Sequence, residues 1–181
     1  MTIRGIVFFD IDGTLVPWMS SSSFLAGRFG HQRELDAAEA AYASGELSNQ
    51  QVSAIDARGW RGHRVSEVEG WLAELPVIEG TDTVVSWCRE NAIEPMLASL
   101  AWQPVSESIA GRFGFTPNGG PRVHVRSGTY DGTVAEHFDE DDKRDRSLAL
   151  AAARGLTAAS CCAIGDRSGG PSSSVTLRSP R

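Results

Sequence analysis

Apolar residues fall along this chain in two rhythms. A short uninterrupted run appears at Ile6-Val7-Phe8-Phe9, and further strands are predicted through Ile93 and Leu97 and from Ala159 to Ile164. The length and continuity of the first predict a strand covered on both faces, as in the middle of a parallel sheet. Elsewhere the period changes to three and four. Within residues 33–75, Leu35, Ala38, Ala41 and Tyr42 share a helical face that Gly45 ends, and Leu47-Ser48 opens a second helix through Val52 and Ile55. Val65, Val68, Trp71, Leu72 and Leu75 line a third, which Pro76 closes. The serine run 20–23 can cap an earlier helix beginning near Phe24. Further helices are predicted from Thr81 to about Asn91, from near Pro104 to Gly114, and through Lys143, Leu148, Leu150 and Ala153 to Gly155. Residues 123–134 alternate apolar and polar around Ser127-Gly128 and Asp131-Gly132, which predicts a hairpin.

This β-α-β-α order predicts an α/β fold with a doubly wound parallel sheet, into which tandem short helices are inserted as a cap. The expected division is a catalytic core of residues 1–18 and 77–166, a helical cap of 19–76 and an irregular tail of 167–181. In that tail Pro171 and three consecutive serines interrupt any periodicity, so the carboxyl-terminal end of the fold is expected to be truncated.

Composition narrows the function. With 181 residues, 41% hydrophobic and 22% charged, the chain can form one core domain and a modest insert. A net charge of -6 supplies no basic surface for nucleic acid or an anionic membrane. The first apolar run is broken by Asp10 and Asp12 too early for a signal peptide, and no later run has membrane-spanning length, so a cytoplasmic location is expected. Cys88, Cys161 and Cys162 are odd in number and read as small buried side chains of a reducing compartment. His31, His63, His124 and His137 are scattered without the spacing of a zinc site.

The candidate chemistry begins at the carboxyl end of the first strand, where Asp10 and Asp12 stand two residues apart and Thr14 follows the Asp12-Gly13 turn. Ligand sites of open α/β sheets form at that edge, and paired carboxylates there need a cation, a proton or a phosphate partner. Asp10 can attack a phosphoryl group in line if a divalent cation screens the repulsion, while Asp12 shuttles the proton of the leaving oxygen. Ser99 and Thr14 can donate to phosphoryl oxygens, and Lys143 can neutralise charge that spreads in the transition state. Asp166 adds a hard oxygen donor, which with Asp10 favours Mg2+ over zinc. Each residue also has a plainer reading. Ser99 can bond its own backbone at a strand end, and Lys143 belongs to a charged run, 139–146, most of which forms a solvated helix start. Arg58 and Trp60 can reach a substrate anion or ring from the cap, or lie in a surface turn.

The quoted residues resemble the haloacid dehalogenase superfamily. Its first motif is Asp-x-Asp-x-Thr at a strand end, followed in order by a strand-end Ser or Thr, a Lys at a helix start and a Gly-Asp pair ending another strand. Asp10-Ile11-Asp12-Gly13-Thr14, Ser99, Lys143 and Gly165-Asp166 match these in sequence, and the likeness is to the phosphoserine-phosphatase-like branch with its small helical cap. The resemblance implies a magnesium-dependent phosphatase acting on a small-molecule phosphate ester. In it Asp10 is the nucleophile that forms an aspartyl-phosphate, Asp12 is acid and then base, and Asp10, Asp166 and the Asp12 main-chain carbonyl are metal ligands. It also makes Lys143, rather than Arg144, the phosphate-binding cation.

The chain departs from that branch in two places. Strict phosphoserine phosphatases usually carry Ser where this chain has Gly13, and a Glu that would hold the substrate amine where it has Met19, so a different small phosphate ester is expected. The fourth motif normally places another Asp four residues after the first, where this chain has Gly170. A reading-frame change is one way such an ending arises. The alternatives are a catalytically impaired protein that binds phosphoesters without efficient turnover and, at greater distance, a receiver-type signalling domain.

Overall fold

Four consecutive apolar side chains leave a strand no face for water, and β1 (Gly5–Phe9) lies accordingly inside a sheet. The computed structural model describes residues 2–166. In it, β2 (Ile93–Leu97) and the two-residue β3 (Thr116–Pro117) lie to one side of β1. A hairpin of β4 (Arg122–Arg126) and β5 (Thr129–Glu136) follows, and β6 (Cys161–Ile164) returns to the other side of β1. The order β3-β2-β1-β6 is parallel throughout. Chain direction along the sheet therefore reverses at β1, and the crevice at such a switch point is where doubly wound folds bind ligands.

Of the five helices between β1 and β2, the first four are α1 (Ser21–Phe29), α2 (Gln32–Ala43), α3 (Asn49–Gly59) and α4 (Val65–Ala73). The first starts earlier than its apolar pattern suggests because Ser20 caps it, accepting a hydrogen bond from Ser23 N–H. Ser48 and Gln51 form a reciprocal capping box at the start of α3. Next come α5 (Thr81–Glu90), α6 (Gln103–Phe113) and α7 (Glu140–Ala153).

The sheet divides the core in two. On one face Phe9 and Leu97 pack with Val85, Val105, Ile109 and Phe115, continuous with Leu25, Trp60, Val68 and Leu72 of the inserted helices. On the other, Ile6, Phe8, Met96 and Ala98 meet Ala151 of α7. The hairpin fastens the insertion from outside, with Gly62 N–H donating to the Tyr130 carbonyl, Tyr130 N–H to the His63 carbonyl and Val65 N–H to the Gly128 carbonyl.

Two expectations need correction. The last strand begins at Cys161, because residues 158–160 form a 3-10 turn. Nor are its two cysteines buried as expected: Cys161 is half-buried, Cys162 and Ala163 are exposed and Ile164 is 44% exposed, since among the described residues β6 has β1 as its sole strand partner. Cys88 is buried as its type suggests, but Cys162 is not. The expectations for Gly170 and the tail 167–181 lie outside the described residues.

Candidate active site

Both ladders of β1 run one step past its end. Asp10 N–H donates to the Ile164 carbonyl and Ala98 N–H to the Phe9 carbonyl, which fixes Asp10 between the ends of β2 and β6. Its carboxylate accepts from Ile11 N–H at Oδ1 (2.8 Å) and from Lys143 Nζ at Oδ2 (2.8 Å). That ammonium comes from the first turns of α7, a helix started by a capping box in which Asp139 accepts from the N–H groups of Asp141 and Asp142. Arg144 turns outward to Asp141 and Asp145, so Lys143 is the cation at the strand end.

Asp12 takes a different environment two residues on. Its side chain turns to the amino terminus of α1, where Oδ1 accepts from Ser21 N–H (2.6 Å) and Oδ2 from Ser21 Oγ (3.0 Å). Burial pushes its pKa up from 3.8 to about 6; the Ser21 bonds oppose the rise, and the charges of Asp10 and Asp166 add to it. Asp10 and Asp12 are thereby divided between an ion-paired carboxylate and a carboxyl that holds its proton into the mildly acidic range. A raised carboxyl pKa means that the folded state prefers the protonated form. Its contribution to stability is full below the unfolded value of 3.8 and is lost as pH rises through about 6. In buffer containing a metal chelator, Asp12→Asn should therefore stabilise the protein above pH 6, by on the order of 3 kcal/mol, with the gain fading toward pH 4. Denaturant unfolding at several pH values measures this, and a gain that does not vary with pH contradicts it.

Thr14 and Asp166 join the loops after β1 and β6: Asp166 N–H donates to Thr14 Oγ1 (3.0 Å). The turn between Asp12 and Thr14 requires glycine twice over. Gly13 has φ of +75°, and a Cβ there would lie 2.4 Å from Asp166 Oδ2. Ser99, 3% exposed at the end of β2, accepts from Ala101 N–H (3.3 Å) and keeps its own proton to donate.

These residues fit magnesium in donor type. Asp10 and Asp166 offer carboxylate oxygens, and among the described residues the ammonium of Lys143 is the cation paired with a carboxylate at this edge. Among the described residues no three acidic, His or Cys side chains converge as a metal cluster, because Asp12 is committed to Ser21. Two carboxylates remain, the usual protein contribution to an ion that retains several waters.

Trp60 is corrected by the structure. Its side chain is fully buried, edge-on to Trp102 and Tyr130, and cannot touch a substrate. Arg58 is exposed on α3, and its side chain makes no hydrogen bond among the described residues. Met19, in the link to the insertion, is 45% exposed. Sequence reasoning missed Ser21, one of several equivalent serines, and it missed Asp56, which is buried at 3% exposure and accepts from the Trp102 indole.

The chain matches the haloacid dehalogenase-like hydrolase family over residues 7–169. No curated protein matches it significantly. Among solved structures it is similar to a HAD family hydrolase from Salmonella enterica serovar Typhi, with 15% identity and TM-score 0.83, covering 92% of this chain and 57% of that one. A phospho-aspartyl intermediate analogue of phosphoserine phosphatase matches with 19% identity and TM-score 0.77, covering 91% and 78%. The unliganded probable phosphoserine phosphatase from Vibrio cholerae matches with 18% identity and TM-score 0.76, covering 92% and 52%. The chain thus spans little more than half the length of the first of these, and at such identities the likeness is one of fold. Among the described residues no helix is long and apolar enough to cross a membrane.

Proposed function

We propose, from the premise that the chain belongs to the haloacid dehalogenase-like hydrolase family, that it hydrolyses a small-molecule phosphate monoester in the cytoplasm. The observation that carries this reading is the pairing of Lys143 Nζ with Asp10 Oδ2 at 2.8 Å, across 133 residues of sequence, at the switch point of the sheet. A nucleophilic carboxylate with an ammonium beside it attracts a phosphate dianion and aligns it for attack.

Asp10 attacks phosphorus in line, forming an aspartyl-phosphate as the bond to the ester oxygen breaks. The Asp12 carboxyl, whose pKa stands near 6, gives its proton to that departing oxygen. Ionised Asp12 then takes a proton from water, whose oxygen attacks phosphorus and releases inorganic phosphate and free Asp10. Ser99, Thr14 and Lys143 hold the phosphoryl oxygens through the change of geometry. When magnesium is bound, held by Asp10, Asp166 and the main-chain carbonyl of Asp12, its charge screens the repulsion between phosphate and carboxylate. The inserted helices act as a cap that keeps bulk water from the reacting atoms. With Met19 in place of an amine-binding carboxylate, the leaving group is better assigned to an ester other than phosphoserine.

A second reading, phosphoester binding without efficient turnover, rests on Gly170, which stands in the sequence where the family's fourth motif normally places an Asp. A metabolite phosphatase screen with and without magnesium separates the two. Magnesium-dependent release of phosphate from a subset of esters is expected. Tight orthovanadate binding without turnover of any ester selects the second reading.

A further inference from the structure

Asp56 is a carboxylate that the core ought to exclude. It lies on α3 at 3% exposure, and among the described residues no Lys or Arg is hydrogen-bonded to it. What it does have is the Trp102 indole, whose Nε1–H donates to Oδ2 at 2.6 Å, and His31 Nε2, 3.2 Å from Oδ1. These partners come from different parts of the molecule. His31 precedes α2 in the insertion, whereas Trp102 is the residue on which α6 of the core begins. Burying a carboxylate is expensive unless its hydrogen bonds are made, so this junction tolerates little displacement.

Neighbouring residues of α3 serve the same contact. At Gly59 a Cβ would fall 1.9 Å from the His31 ring, so only glycine lets the imidazole lie against the helix and reach Asp56. Trp60 then packs edge-on to Trp102 with ring centroids 5.5 Å apart, and to Tyr130 of the hairpin at 4.9 Å. The string Asp56-Ala57-Arg58-Gly59-Trp60 thus supplies an acceptor and an aromatic face directed at one indole of the core, and a space for the His31 ring that shares the acceptor.

Trp102 closes the loop that leaves β2 at Ser99. Ser99 Oγ accepts from Ala101 N–H, and Gln103 N–H donates to the Pro121 carbonyl, so the loop is pinned at its start and just beyond Trp102. Between those points the cap holds it, through Asp56. We propose that Asp56 is a positioning residue: by fixing the Trp102 indole it sets the Ser99 loop, and so makes the bearing of the cap part of the geometry that receives the phosphoryl group. The assignment rests on the proposed phosphatase reading for its catalytic consequence but not for the contact itself.

The test compares wild type, Asp56→Ala, Asp56→Asn, Trp102→Phe and the double variant Asp56→Ala/Trp102→Phe. Activity on p-nitrophenyl phosphate is read together with 15N–1H spectra, in which Trp102→Phe identifies the indole signal. Asp56→Ala should shift that signal and the amides of Ser99, Leu100 and Ala101, and lower kcat/KM by about 10-fold to 100-fold. Asp56→Asn keeps an acceptor oxygen and should recover most of both. The double variant should be no worse than either single one, because both remove the same bond. Unmoved Ser99–Ala101 amides in folded Asp56→Ala, or activity within twofold of wild type, overturns the proposal, as does an Asp56→Asn variant no better than Asp56→Ala. If wild type hydrolyses no phosphate ester, the phosphatase reading fails. The spectra then decide the positioning claim alone.

Discussion

Asp10→Asn is expected to abolish turnover while leaving the fold intact. The amide is isosteric, and its single oxygen can still accept from Ile11 N–H, while its NH2 group gives up the bond from Lys143 Nζ at the partly exposed strand end. It cannot act as an anionic nucleophile or bring negative charge to a cation. Loss of a nucleophile ordinarily costs several powers of ten in kcat. Thermal unfolding close to that of wild type would accompany the loss. Retention of more than about a tenth of the activity would remove Asp10 from the covalent role.

Asp12→Asn should separate substrates by leaving group. Proton transfer in the transition state is worth about 100-fold to 10,000-fold. An alkyl phosphate needs that proton to depart, whereas p-nitrophenyl phosphate leaves as a stabilised anion and should suffer far less. The same substitution is expected to stabilise the protein near neutral pH, because a carboxyl held near pH 6 by burial is costly to ionise. Activity and stability should therefore move in opposite directions. Equal loss on both substrates assigns Asp12 a role in orienting the site instead.

Legibility varied with how local each signal is. β1 and its two acids could be read because a continuous apolar run ending in Asp-x-Asp leaves little else for those residues to be. Lys143 could be read from its order along the chain, although the same charged run holds Arg144, and only the packing of α7 turns one inward and the other to Asp141 and Asp145. The exposure of β6 could not be read: a short apolar segment carries no record of what covers it. Trp60 was misread because glycines and arginines flank it as they would a surface turn, yet the hairpin and the start of α6 close over it. Asp56 gave no sign at all. A carboxylate on an amphipathic helix is ordinarily solvated, and its indole partner lies 46 residues away.

Covalent catalysis by Asp10 is the claim on which the account depends, and acid quenching during turnover tests it directly. p-Nitrophenyl phosphate is mixed with the magnesium-loaded protein, the reaction is stopped within a turnover, and peptides are analysed by mass spectrometry. One added phosphoryl group is expected on the peptide containing Asp10, absent from Asp10→Asn and lost on exposure to base, as an acyl phosphate would be. Rapid turnover with no phosphoryl adduct, or an adduct on another peptide, would contradict covalent catalysis by Asp10.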